Sequence, residues 1–490
     1  METLDWLVIG IFFLALIGII VWVVKQKQND SADYFLGGRD ATWLAIGASI
    51  FASNIGSEHL IGLAGAGASS GMAMAHWEIQ GWMILILGWV FVPFYSRSMV
   101  FTMPEFLERR YNPQSRTILS VISLISYVLT KVAVTVYAGG LVFQQVFGIK
   151  ELWGIDFFWI AAIGLVILTA LYTIFGGMKS VLYTSILQTP ILLLGSLIIL
   201  VLGFKELGGW DEMMRICGAV TVNDYGNTMT ELIRSNNDPN FPWLGALIGS
   251  AIIGFWYWCT DQFIVQRVLS GKNEKEARRG TIFGAYLKLL PVFLFLIPGM
   301  IAFALHQKYL GTGGEGFLPM LANGNANADA AFPTLVAKLL PAGVKGLVVC
   351  GILAALMSSL ASLFNSSAML FTIDFYKRFK PNTSEKKLVG IGQMATVAIV
   401  ILGILWIPIM RSVGDVLYTY LQDVQSVLAP GIAAAFLLGI CWKRTSAQGG
   451  MWGLIAGMII GLTRLGAKVY YSNVGAVSYT HLRAHETAAN

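Results

Sequence analysis

Charged residues are what this sequence has least of. Asp, Glu, Lys and Arg together make up 12% of its 490 residues, whereas 56% are hydrophobic. With a mean hydropathy of +0.68, that balance excludes a soluble globular chain of this length. Cysteine is scarce too. Cys217, Cys259, Cys350 and Cys441 lie far apart without metal-type spacing, so they are read as small apolar packing residues, and neither disulfides nor a metal cluster are expected. There is no HExxH motif, no intramembrane aspartate pair and no Ser/His arrangement, which argues against an enzyme. The first apolar run lacks a charged segment before it and a small-residue cleavage site after it. It is therefore expected to stay as a helix and not to be removed as a signal peptide.

What the chain has in abundance is apolar runs of the length that crosses a hydrocarbon core of about 30 Å at 1.5 Å per residue. About twelve spans are expected, at 4–24, 43–70, 76–96, 117–147, 153–174, 182–203, 243–265, 280–306, 343–371, 388–408, 416–440 and 449–471. Lys and Arg mark alternate connections, among them Lys25, Arg39, Arg97, Arg109, Arg110, Arg116, Lys179, Arg267, Lys272, Lys377, Arg378, Lys380, Lys386, Lys387, Lys443 and Arg444. By the positive-inside rule those loops face the cytoplasm and the N-terminus faces out. Topology then accounts for the net charge of +6, and no nucleic-acid partner is implied. Two long outer connections, about 204–242 and 307–342, read as surface caps. The abruptly polar end, Ser478 to Asn490, with His481 and His485 spaced i, i+4, is read as non-native and left out of the fold.

Several spans contain residues that hydrocarbon does not favour. "SIFASNIGSEHLIGLAGAG" places Asn54, Glu58 and His59 among four glycines, each of which weakens a helix by roughly 1 kcal/mol relative to Ala. Glycines alone also suit close helix packing. With polar neighbours they predict an unwound helix, whose freed carbonyls suit Na+ and whose half-helix N-terminus suits a polar substrate. In the ninth span Ser358, Ser359, Ser362, Ser366 and Ser367 cluster, with Ser358 and Ser362 on one face. Any one of them can simply bond back to its own helix; together they suit a hydroxyl-lined ion site. Glu78, Lys131, Lys288, Gln422 and Asp423 fall within other spans, where an ionised side chain at mid-bilayer costs about 2.5–3.5 kcal/mol. Trp256, Tyr257 and Trp258 form either an interfacial belt or a flat face for a sugar ring.

Six stretches, "ASNIGSEHLIGLAGAGASSG", "LYTIFGGMKSVLYTSILQT", "WYWCTDQFIVQRVLSGKN", "YLKLLPVFLFLIPGMI", "AALMSSLASLFNSSAMLFTIDFYKRF" and "LAPGIAAAFLLGICWKR", make the chain strongly resemble the sodium/glucose cotransporters of the solute:sodium symporter family. The match runs in order from about residue 5 to 465. It implies an all-α polytopic membrane protein of the LeuT type, with two five-helix units repeated in inverted topology. The expected division is 1–42 for the first helix and its cytoplasmic loop, 43–240 for the first repeat with its outer loop, and 241–442 for the second repeat. An additional helix at 443–471 and a tail at 472–490 follow. Family members usually have about fourteen helices, so a C-terminal pair is expected to be missing here.

The resemblance also implies roles for particular residues. Na+ would be held by the carbonyls of Ala52, Ile55 and Ala355 and the hydroxyls of Ser358 and Ser359. Substrate would meet Asn54, His59, Glu78, Lys131, Tyr257, Trp258, Lys288 and Gln422, with Tyr257 as inner gate and Leu63, Trp77 and Tyr418 as outer gate. Ser185 stands where the family usually has Asp, a position associated with a second cation, so a single Na+ is expected. The implied activity is uptake of a glucose- or galactose-type hexose by alternating access, driven by the inward Na+ gradient across the cell membrane. The alternatives are a sodium/myo-inositol symporter and a sugar-gated sensor or leak without tight coupling. Sodium, the sugar and the lipid bilayer are the partners this implies.

Overall fold

The computed structural model describes residues 1–26, 28, 30–56, 58–223, 225–238, 240–321, 324–412 and 417–488. Side chains are described for all of these except 129, 409–412, 417–423 and 468–488. Helix dominates because a chain this apolar must satisfy its backbone polar groups within its own segments. The helices that build the bundle are α1 (Thr3–Val24), α2 (Trp43–Asn54), α3 (Glu58–Ser98), α4 (Pro113–Phe147), α5 (Phe157–Leu207), α6 (Trp243–Thr260) and α7 (Gln262–Leu269). They continue with α8 (Glu274–Gly311), α9 (Val344–Phe379), α10 (Glu385–Ser412), α11 (Leu417–Cys441) and α12 (Ala447–Ala488). Among the described residues, ten helical stretches are long and apolar enough to cross a membrane. One two-residue strand pair, Glu151–Leu152 with Ile155–Asp156, turns the chain between α4 and α5.

Two of the ten stretches are divided by a glycine. Gly71 in α3 has φ 72° and Gly177 in α5 has φ 53°, left-handed conformations that a side chain resists. The space is also denied: a Cβ at Gly71 would run into the Met229 carbonyl, and one at Gly177 into that of Tyr34.

Two helices near the centre are interrupted outright. α2 stops at Asn54, Ile55 is extended (φ −79°, ψ 109°), and α3 resumes with a π-turn over Glu58–Leu63. Likewise α6 ends in a π-turn over Phe255–Thr260, Asp261 is extended (φ −73°, ψ 128°), and α7 begins at Gln262. Such breaks at membrane depth are tolerable only where freed groups meet other polar groups. Here the Asp261 carboxylate caps α7 by accepting from the Phe263 N–H at 3.2 Å.

α9 forms the middle of the bundle. In its most apolar stretch 89% of residues are inside the protein, against 22% for α1 and 17% for α12, which lie at the periphery. α5 packs along α9, and α2 packs against α8 and α5. The glycines of the second span allow close approaches. Gly67 lets α3 approach the Leu296 carbonyl, a packing role, whereas a Cβ at Gly56 would lie 2.9 Å from the Ser359 hydroxyl.

The long connections carry helices of their own, Trp210–Gly218 and Ala331–Leu339, and cap one end of the bundle. The Met72 N–H donates to the Met229 carbonyl at 2.7 Å, and Arg234 donates to the Ser70 carbonyl, tying the first cap to α3. Arg267 departs from its expected place in a solvated loop. It is only 1% exposed, on the inward face of α7, because Ser49, Ser53 and the Phe263 ring receive its guanidinium.

Candidate substrate and ion site

The two helix breaks face each other across a small polar cavity. Asn54, the last residue of α2, donates from Nδ2 to the Tyr257 hydroxyl at 3.0 Å, linking the two interrupted helices. The cavity has a volume of about 30 Å³, and Asn54, Glu58, His59, Trp77, Glu78 and Gln80 line one part of it. Ile253, Tyr257, Trp258, Lys288 and Gln425 complete the lining. Seven residues singled out for substrate or gating therefore converge here, from α2, α3, α6 and α8.

Three of them form a closed charge cluster. Lys288 Nζ lies 2.6 Å from Glu78 Oε2 and 2.8 Å from His59 Nε2, and His59 Nε2 lies 3.2 Å from Glu78 Oε1. Glu78, His59 and Lys288 are 4%, 3% and 3% exposed, so the Glu78 and Lys288 charges depend on each other and on the His59 ring and not on water. The His59 ring packs edge-on against Phe295, and Lys288 sits 5.6 Å from the Trp258 ring centroid. Acid and base alternate at hydrogen-bonding distance, the arrangement that can be exchanged, bond for bond, for ligand hydroxyls that both donate and accept.

Lys131 takes a different partner. Its Nζ is 2.7 Å from Asp261 Oδ2, and Tyr127 donates to the other oxygen of the same carboxylate. The ammonium also lies 4.6 Å from the Tyr257 ring centroid and 4.9 Å from that of Phe263. This buried pair holds the α6 break against the π-turn of α4 (Tyr127–Val132). A second void of about 10 Å³ adjoins it, bordered by Ser53, Asn54, Gly56, Glu58, Lys131 and Tyr257 among others. Asn54, Glu58 and Tyr257 thus border both spaces.

Behind that void lies a seam of hydroxyls between α2 and α9. Ser359 Oγ donates to the Ser53 carbonyl at 2.8 Å and comes within 3.4 Å of the Ile55 carbonyl oxygen freed by the break. Ser53 Oγ is 2.7 Å from Ser362 Oγ and 3.4 Å from Ser358 Oγ, and Ser185 Oγ is 3.3 Å from Ser358 Oγ. Oxygen donors of this kind suit a hard monovalent cation. Ala52 and Ala355, expected to offer carbonyls, are buried on α2 and α9, the two helices that form this seam. Arg267 closes its far side, donating from Nη2 to Ser53 Oγ at 2.8 Å and from Nε to Ser49 Oγ at 3.2 Å.

Some expected site residues lie elsewhere. Leu63 is wholly buried in the apolar core and does not line the cavity. The side chains of Tyr418 and Gln422 lie outside the described residues; Gln425, one turn along α11 from Gln422, does border the cavity. Sequence reasoning missed Asp261 and Arg267 as site residues. The signal for Asp261 was present in "WCTDQ", an acid straight after an aromatic run within a span.

The chain has been compared with known families, proteins and structures. Residues 34–457 match the model of the Sodium:solute symporter family. The chain is 39% identical over 479 residues to Sodium/myo-inositol cotransporter 2 of Homo sapiens, covering 95% of this chain and 70% of that protein. It is 38% identical over 486 residues to Sodium/glucose cotransporter 4 of Mus musculus, covering 96% and 70%. Among solved structures, that of a Na+-coupled sialic acid symporter superposes with a TM-score of 0.75 at 22% identity, covering 94% of this chain and 98% of that one. MhsT in complex with L-phenylalanine superposes at 0.54 with 14% identity, covering 86% and 96%. These two structures share the fold.

Proposed function

The chain belongs to the sodium:solute symporter family, and from that premise we propose that it carries a neutral six-membered polyol ring inward with one Na+. That it is a sodium-coupled solute symporter of the LeuT-type fold, and not an enzyme, follows from the family and the fold. The ring is the further step. The observation that carries it is the Glu78–His59–Lys288 cluster, in which acid and base are matched within 3.2 Å beside the Asn54–Tyr257 link. With Glu78 and Lys288 offsetting each other and acidic Glu58 also on the wall, the site favours a neutral ligand over an anion, and alternating acceptors and donors suit a ring bearing a hydroxyl on each carbon. An unpaired buried donor or acceptor costs about 1–3 kcal/mol, so such a ligand must replace the bonds it breaks.

Two substrates meet that description, a hexose and myo-inositol. The relative reported above whose name specifies myo-inositol supports the second, and the one reported there that is named for glucose supports the first.

The cavity of about 30 Å³ is some tenfold smaller than the lower end of the roughly 300–1,000 Å³ usual for ligand pockets. Substrate therefore enters by moving the outer-gate residue Trp77 aside and parting Lys288 from Glu78. Sodium, placed between α2 and α9 at the Ile55 carbonyl and the Ser358 and Ser359 hydroxyls, fixes the end of α2 with Asn54 turned to the substrate. Because only a difference in affinity between conformations shifts their populations, Na+ favours the substrate-ready form and substrate favours retention of Na+. One Na+ moving inward down 100 mV supplies about 2.3 kcal/mol, enough for roughly a 40-fold gradient of substrate. The orientation proposed with it, N-terminus outside and basic loops in the cytoplasm, rests on the positive-inside rule.

Uptake of radiolabelled myo-inositol, glucose and galactose into proteoliposomes under an inward Na+ gradient, with K+ as control, tests the proposal. Na+-dependent accumulation that overshoots equilibrium for one of these rings is expected. Binding or downhill flux without overshoot would replace symport of that ring by a sensor or leak. No response to any of the three would refute the polyol assignment.

A further inference from the structure

A second feature of the surface is independent of the central cavity. An apolar groove of about 360 Å³ runs along the lipid-facing side between α4, α9 and α10, walled by Leu124, Ile125, Val128, Phe371, Ile399 and Leu402. Ile125, Phe371 and Leu402 are 55%, 43% and 52% exposed.

The groove ends at positive charge. On α4, Thr117, Val121, Leu124, Ile125 and Val128 recur every three or four residues and so form one stripe. At the foot of that stripe Arg378 Nη1 donates to Thr117 Oγ1 at 2.6 Å and to the Pro113 carbonyl at 3.3 Å. On α9, Phe371, Phe375 and Arg378 follow the same spacing, with the two rings stacked 6.5 Å apart. On α10, Ala395 and Ile399 lead down by helical steps to Lys387. The connection itself, "YKRFKPNTSEKK", carries five basic residues and one acid, Glu385. Nearby acids are already engaged: Glu385 with Lys377 at 3.3 Å, and Glu108 and Asp374 with Arg116. Among the described residues neither Arg378 nor Lys387 forms an ion pair.

From Thr117 to Ile125 and Val128 is eight to eleven residues, about 12–17 Å of helix. That is half of a hydrocarbon core of about 30 Å, the depth of one leaflet. We propose that this groove binds one acyl chain of an anionic phospholipid whose phosphate is held by Arg378 and Lys387. Charge complementarity selects the lipid class: a zwitterionic headgroup brings its own cation beside the phosphate and leaves the two protein cations without net neutralisation, whereas an anionic headgroup does not, and the apolar walls take the chain.

The test is native mass spectrometry of the full chain released from nanodiscs containing equal amounts of phosphatidylglycerol and phosphatidylcholine with identical acyl chains. Phosphatidylglycerol is expected to be retained at least about fivefold over phosphatidylcholine. The exposed double variant Arg378→Gln/Lys387→Gln is expected to lose that preference to within about twofold. Leu402→Trp, which fills the groove and leaves the cations in place, is expected to lose the bound lipid, whereas Lys275→Gln in the first turn of α8 keeps it. Equal retention of the two lipids by the unaltered chain would overturn the proposal. So would a preference that survives the double substitution, or lipid retention by Leu402→Trp equal to that of the unaltered chain.

Discussion

The hydroxyl of Ser359 donates to the main-chain carbonyl of Ser53 across 2.8 Å, joining the middle of α9 to the last turn of α2, where that helix breaks. Gly56 stands directly against the same hydroxyl. A methyl there would lie 2.9 Å from it, closer than van der Waals contact allows, and would push α9 away from the break. Gly56→Ala is expected to raise the Na+ concentration for half-maximal uptake about tenfold, equivalent to about 1.4 kcal/mol. Uptake at graded Na+ measures it.

Glu78 and Lys288, 2.6 Å apart and buried, stabilise each other and line the proposed substrate cavity. Removing one member of a buried pair leaves the other unpaired, at a cost of about 3–5 kcal/mol, whereas replacing both with apolar groups is often tolerated. Glu78→Leu and Lys288→Met singly should each lower the melting temperature in detergent more than the double variant does. Uptake should be lost in all three, since the double variant regains stability without regaining groups for the ring hydroxyls.

The Lys131–Asp261 pair is expected to behave as a structural clasp at the α6 break. Asp261→Asn frees the Lys131 ammonium and also weakens the α7 cap. It should destabilise the protein by about 3–5 kcal/mol. Thermal unfolding that matches the unaltered chain would show that the pair does not hold the break.

Outside the membrane segments, Asp238 anchors the first cap. Burial alone would push its carboxyl up, but the N–H groups of Phe241 and Asn240 and the nearby Arg234 guanidinium outweigh it and hold it below the ordinary carboxylate value. A group depressed in this way contributes stability above its unfolded value, about 3.9, and loses it as pH falls through the lower folded value. Limited proteolysis of the 219–242 connection should be unchanged between pH 7 and 5. Asp238→Asn should accelerate it several-fold across that range.

The general architecture could be read in the sequence because hydrophobic length and polar intrusions are local signals. Asn54, Glu58 and His59 among glycines announced a break, and the structure has it between Asn54 and Glu58. Partnerships were harder to read because they are made in space. Asp261 meets Lys131 across 130 positions of chain, and nothing next to either residue specifies the other. Arg267 was assigned to a solvated loop because a charge count cannot distinguish a surface cation from one received by buried serines. The resemblance implies a substrate role for Lys131; in the structure its ammonium meets Asp261 at the rim of the second void, a partner that its depth in a span does not specify.

The most direct test of the account is the Na+ dependence of substrate uptake in Ser359→Ala, measured beside the unaltered protein in proteoliposomes at matched expression. If the α2–α9 seam holds the ion, half-maximal uptake should need at least about tenfold more Na+, and raising Na+ should restore most of the maximal rate. An unchanged Na+ dependence at normal uptake would contradict the placement of sodium there.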